Sequence, residues 1–201
     1  MANCHKLLIE YNSIIKLNGS KKEFLRTSRN HLRERIKKYI KENKDIKVPR
    51  FHGQGSDFMD TIINPIEGNY DVDDGIYLIV EEEPKQSIAT LHKWICEAVE
   101  GYTDTTPIDK NTCVRVIFKK GYHIDLPIYY KIDGKCPKLA HKSKGWIDSD
   151  PKEFINWFTN KTDDKGQLRR IVRYLKAWKD YKKLNLKITG LHINTLMEHF
   201  V

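Results

Sequence analysis

Asp71, Asp73 and Asp125 are the side chains of this 201-residue sequence whose types and spacing best fit chemistry. Asp71 and Asp73 stand at the head of DVDDGIYLIV, which reads as a strand over 71–80 that becomes fully buried. Side chains two apart on a strand share a face. Two carboxylates held that way repel each other, and a cation removes the repulsion. Asp125 interrupts HIDLPIYY, where Ile124, Leu126, Ile128 and Tyr130 alternate onto the other face. A lone acid on an edge strand is ordinary. A third acid on a neighbouring strand completes a site for two divalent ions about 3.5–4 Å apart. Mg²⁺ takes carboxylate, phosphate and water oxygens in octahedral geometry, so such a trio suits metal-assisted displacement at phosphorus.

A second set of residues precedes the acids. In HGQGSDFMDT, Gly53 and Gly55 allow positive φ and close backbone approach, and Ser56 adds a hydroxyl. Exposed N–H groups in a loop of this kind make an anion-binding nest. Gln54, Gly55 and Ser56 are therefore candidate nucleotide ligands, against the plainer reading of a turn. A Gly-Ser loop, then two acids on one strand and one on the next, is the pattern of polymerase-β-type nucleotidyltransferases.

These groups need elements to hold them. A helix is expected over 20–43, with Ser20 and Glu23 as a capping box and Leu25, Leu32, Ile36 and Ile40 on one stripe. Its other face carries Arg26, Arg29, Arg33 and Lys37, readable as a solvated face or as a nucleic-acid ridge. Residues 51–70 read as turns with a short helical stretch. A helix over 87–102 starts at Ser87. Strands cover 112–118 and the Ile124–Tyr130 alternation, joined by a turn over 119–121. A loop of about 18 residues is expected next. Asp150 and Pro151 open a helix bearing Phe154, Trp157 and Phe158. A helix over 166–183 shows Leu168, Ile171, Val172, Leu175 and Trp178, and another begins over 191–200. Trp94, Trp157 and Trp178 read as core, and Asp74 as a structural acid on the opposite face from Asp73. The fold class is α+β: a mixed sheet with flanking helices over 1–140, followed by a helical lobe over 141–201.

Composition narrows the setting. The net charge is +9, yet residues 54–110 hold 13 acidic and 3 basic side chains, so one acidic segment sits inside a basic chain. No apolar run approaches the roughly 18 residues of a membrane span. The four cysteines are scattered without a CxxC pair, which argues against zinc and disulfides and for a cytoplasmic protein with no membrane partner.

The motifs together resemble bacterial CD-NTases, the cyclic-oligonucleotide synthases related to cyclic GMP-AMP synthase and oligoadenylate synthetase. GQGSDFMDT is similar to their Gly-Ser loop, YDVDDGIYL to their paired-acid strand, and CVRVIFKKGYHIDLPIYY to the strands with the third acid. GWIDSDPKEFINWF and QLRRIVRYLKAWKD resemble the entry to their helical lobe. The resemblance implies an enzyme of antiphage defence that joins nucleoside triphosphates (ATP, GTP or others) into a cyclic second messenger and releases pyrophosphate. It implies two Mg²⁺ ions, with Mn²⁺ as a substitute, held by Asp71, Asp73 and Asp125. Gly55 and Ser56 would grip the donor triphosphate. Lys176 would contact donor phosphates, unless Arg169, Arg173 and Lys176 form only a solvated face. Thr189 stands where the family often has serine and would reach the phosphates, unless it is a helix N-cap. Because family members continue past HFV, the helical lobe is expected to be incomplete. A regulatory protein partner is also implied. Alternatives are a linear-oligonucleotide or RNA nucleotidyltransferase, or an inactive relative that binds nucleic acid on its basic faces.

Overall fold

The computed structural model describes residues 4–66 and 70–182. Thr189 and the helix expected over 191–200 lie outside the described residues.

Six α-helices and a seven-stranded sheet are described. The helices are α1 (His5–Ile15), α2 (Gly19–Asn43), α3 (Gly55–Phe58), α4 (Ile88–Val99), α5 (Pro151–Lys161) and α6 (Gln167–Tyr181). The strands are β1 (Arg50–Gln54), β2 (Tyr70–Ile79), β3 (Ile108–Asp109), β4 (Cys113–Phe118), β5 (Tyr122–Lys131), β6 (Lys138–His141) and β7 (Gly145–Asp148). The sheet runs β1-β2-β5-β4-β3, with β6 added to β5 and β7 to β6. It is mixed: β2 and β5 are parallel and the other pairs antiparallel. The fold is α+β.

Period-two alternation sorts the two central strands. Val72, Ile76 and Leu78 of β2 and Ile124, Leu126 and Ile128 of β5 face one way and are buried. Leu25, Leu32, Ile36 and Ile40 of α2 and Leu91, Ile95, Ala98 and Val99 of α4 cover them in one continuous cluster. Burying a side chain of this size contributes about 1.5–3 kcal/mol, so this face is the main source of stability. A smaller cluster, Met59, Phe158, Leu168 and Val172, ties α5 and α6 to the segment after α3.

Several expectations need correction. Asn18, not Ser20, caps α2: its side chain accepts from the Lys21 N–H at 2.9 Å, and the Ser20 hydroxyl hydrogen-bonds to that same side chain. Residues 51–54, expected as turns, belong to the edge strand β1, paired with β2. The 18-residue loop contains the β6–β7 hairpin, so the division expected at residue 140 falls inside β6 and the sheet continues to Asp148. Trp178 is 51% exposed and is not core among the described residues. Helix α1 was not expected. It packs on α6 through the stacked rings of Tyr11 and Tyr174, 5.9 Å apart, and the Arg173–Asn12 hydrogen bond at 2.9 Å.

Candidate active site

The face of β2 and β5 turned away from the core carries the acids. In the parallel register Asp71 lies opposite His123 and Asp73 opposite Asp125. β1 adds Gln54 opposite Asp73. The chain then turns at Gly55 (φ +69) into the single-turn helix α3. A Cβ at Gly55 would lie 2.2 Å from Asp73 Oδ2. Glycine is thus required twice, for positive φ and for contact between this loop and the acid strand.

Gln54, Gly55, Ser56, Asp71, Asp73 and Lys176 line a cleft of about 710 Å³, roofed by residues of α5 and α6. That volume lies within the range of small-ligand sites. Burial pushes the Asp73 carboxyl up to about 7, and the neighbouring Asp71 and Asp125 charges push the same way. Arg115 and Lys176 oppose the shift without cancelling it. Among the described residues, Asp73 therefore lacks a full counter-charge where the cleft could admit one. Lys176 carries the converse perturbation: burial lowers its ammonium to about 8, against the pull of Asp71 and Asp73.

Helix α6 reaches the site by an unanticipated route. Arg169 donates to the Met59 carbonyl at 3.0 Å, Arg173 to the Asp60 carbonyl, and Lys176 to the Thr61 carbonyl and hydroxyl, both at 3.2 Å. Three cationic side chains at i, i+4 and i+7 thus hold three successive residues after α3. This is no solvated basic face. Part of the basic stripe of α2 is likewise turned inward: Arg29 is 8% exposed and donates to Asp57, and Arg33 donates to Asp74.

Asp125 departs from expectation. Its two oxygens accept from Arg115 Nε and Nη2, both at 2.6 Å, and it does not line the cleft. Among the described residues, no three His, Cys, Asp or Glu side chains form a group that could hold a metal ion. β2 and β5 bring Asp73 and Asp125 opposite each other, and the guanidinium fork of Arg115 takes the third carboxylate. Asp71 and Asp73 alone suit a hard cation, since both offer oxygens to the cleft and Asp73 lacks a full counter-charge. Sequence reasoning missed Arg115 and His123. Both are visible only once strand register is known, as partners of Asp125 and Asp71.

Comparison with known proteins agrees with this architecture. Residues 49–129 match the family model of the cyclic GMP-AMP synthase DncV-like nucleotidyltransferase domain. The chain is 37% identical over 183 residues to a cyclic GMP-AMP synthase of Escherichia albertii, covering 84% of this chain and 41% of that protein. It is 27% identical over 197 residues to the Vibrio cholerae cyclic GMP-AMP synthase, covering 66% of this chain and 43% of that protein. It thus spans about two fifths of the length of these relatives. The fold superposes on Vibrio cholerae DncV in complex with nonhydrolyzable GTP (TM-score 0.78, 22% identity, 94% of this chain, 70% of that chain). It also superposes on 3'-deoxy GTP-bound Escherichia coli DncV (TM-score 0.77, 23% identity, 93% of this chain, 69% of that chain). Residues 49–129 thus form a nucleotidyltransferase domain of the DncV-like family.

Proposed function

We propose that this chain carries the catalytic lobe of a metal-dependent nucleotidyltransferase that joins nucleoside triphosphates into a cyclic dinucleotide, with ATP and GTP as the first candidates. The observation that carries the reading is the abutment of Gly55 on Asp73 at the wall of the cleft. A loop suited to phosphate and a carboxylate lacking a full counter-charge in direct contact fit a triphosphate bound with its cation. The E. albertii and V. cholerae relatives support the cyclic product. Structures of V. cholerae DncV with ATP and GTP, and with the linear intermediate pppA(3',5')pG, support the substrate class.

In this proposal the Gly55 N–H and the Ser56 hydroxyl hold the donor triphosphate, and Gln54 orders the loop. Lys176 adds positive charge from α6, and Thr189 is assigned to the same phosphates. Asp71 and Asp73 would hold the ions, Mg²⁺ or Mn²⁺, which would supply charge neutralisation at the phosphates and a lowered pKa for the attacking hydroxyl. Asp125, released from Arg115, receives the proton of that ribose hydroxyl. A bond forms from the ribose oxygen to the α-phosphorus, the bond to the bridging oxygen breaks, and pyrophosphate leaves. Positioning supplies much of the rate. The antiphage role, the cytoplasmic setting and a regulatory protein partner belong to the same proposal. Among the described residues, no helix is long and apolar enough to cross a membrane. The nucleic-acid reading loses support, because Arg29, Arg33, Arg169 and Arg173 are engaged with protein groups.

The test is product analysis. The protein, supplied with the four labelled nucleoside triphosphates and Mg²⁺ or Mn²⁺, is expected to release pyrophosphate and to form a phosphatase-resistant product. A phosphatase-sensitive product would replace the cyclic reading with a linear one.

A further inference from the structure

Each of the two cleft walls is followed in the chain by an aspartate that does not face the cleft. Asp57 follows Ser56, and Asp74 follows Asp73. Both aspartates are held by arginines one turn apart on α2. Arg29 Nη1 donates to Asp57 Oδ2 at 3.3 Å. Arg33 donates to both oxygens of Asp74, from Nε at 2.7 Å and from Nη2 at 2.5 Å. The guanidinium groups also lie over aromatic rings, Arg29 over Phe58 at 5.2 Å and Arg33 over Phe51 at 5.6 Å. Phe58 in turn fills the space where a Cβ at Gly53 would be, 1.8 Å from its ring. Gly53 is the register partner of Asp74.

α2 itself is fixed in the core by Leu25, Leu32 and Ile36. It therefore acts as a bar that sets the distance between the phosphate loop and the acid strand. Arg29 is an expensive way merely to fill space: it is 8% exposed, and its Nε has no hydrogen-bond partner among the described residues. An apolar side chain of similar volume often serves stability as well as a buried ion pair does. What it would not do is orient Asp57, and with it Ser56.

Resting on the nucleotidyltransferase reading, we infer that Arg29 is a positioning residue for the Gly55–Ser56 loop, acting through Asp57, while Arg33 positions the acid strand through Asp74. Loosening the Arg29–Asp57 tie lets α3 shift against Asp73, where the approach leaves no room for a single methyl group. Phosphate grip should weaken while the acids stay in place.

The experiment compares wild type with Asp57→Asn, Arg29→Met and Arg29→Lys by pyrophosphate release, nucleotide affinity in Mn²⁺ and thermal midpoint. Asp57→Asn and Arg29→Met are expected to raise nucleotide KM about tenfold with kcat within about threefold, about 1.4 kcal/mol of binding. Arg29→Lys is expected to recover part of the loss. A tie that only fastens the helix would lower the thermal midpoint and leave KM alone, and nucleotide KM within twofold of wild type in Asp57→Asn would overturn the inference. If Arg29→Met does not fold, Asp57→Asn decides, since Asp57 keeps 21% of its side chain exposed. A wild type that neither binds nucleotide nor releases pyrophosphate would instead count against the functional reading.

Discussion

The two faces of β2 treat adjacent acids in opposite ways. Asp74 points into the core and is fully buried, yet Arg33 grips both of its oxygens. Burial raises its carboxyl, and Arg33 offsets part of that rise. Asp73, one residue earlier, faces the cleft, has like-charged Asp71 and Asp125 as neighbours, and is raised to about 7. One acid carries its cation within the fold. The other is left to take a cation from outside. An acid that serves only stability is charge-matched when the chain folds, and an acid that serves a ligand is not.

The largest expected effect lies on the cleft face. Asp71→Asn with Asp73→Asn should reduce nucleotide transfer by about a thousandfold or more, because metal stabilisation of the transition state is worth several kcal/mol. The fold should persist by circular dichroism, since the substitution removes repulsion between neighbouring carboxylates. Wild-type turnover in the double variant would dissolve the contrast between the two faces.

The core face should respond the other way. Arg33→Met leaves Asp74 buried without its partner, and denaturant unfolding should show a loss of about 3–5 kcal/mol. A loss under about 1 kcal/mol would mean that the pair is not what makes Asp74 tolerable.

The smallest effect concerns pH in the absence of metal. The folded-state carboxyl of Asp73 titrates near 7 and its unfolded counterpart near 3.8. Between those values the folded form keeps a proton that the unfolded chain has lost, so stability falls as pH rises through that window. Asp73→Asn should flatten this slope and raise stability at pH 8, by about 1–3 kcal/mol in thermal or urea unfolding with chelator present. An unchanged slope would show that Asp73 already has an adequate counter-charge.

How much of this was legible in the sequence follows from the range of the interactions. Period two placed Asp71 and Asp73 together and Asp74 opposite, and local capping signals marked Ser87 and Asp150 as helix starts. β1 was not legible, because Gly53 within it and Gly55 just after it read as loop. Gly53 is in the strand through its pairing with Asp74, and it is glycine because Phe58 fills the space of a side chain. The β6–β7 hairpin was hidden among lysines and glycines, with no alternation long enough to see. The roles of Arg29 and Arg33 were out of reach, since their acids lie 28 and 41 residues away and only the fold brings them together. The Arg115–Asp125 pair needed strand register, which residue patterns alone did not supply.

The central claim is that the acids of the cleft face form a metal site on which a nucleotide closes. The most direct measurement is the number of Mn²⁺ ions bound, by electron paramagnetic resonance, in the presence of a non-hydrolysable nucleoside triphosphate. Two ions per protein are expected in the wild type, with loss of both in Asp71→Asn/Asp73→Asn. Equal Mn²⁺ binding by wild type and double variant, beyond what the nucleotide binds alone, would contradict it.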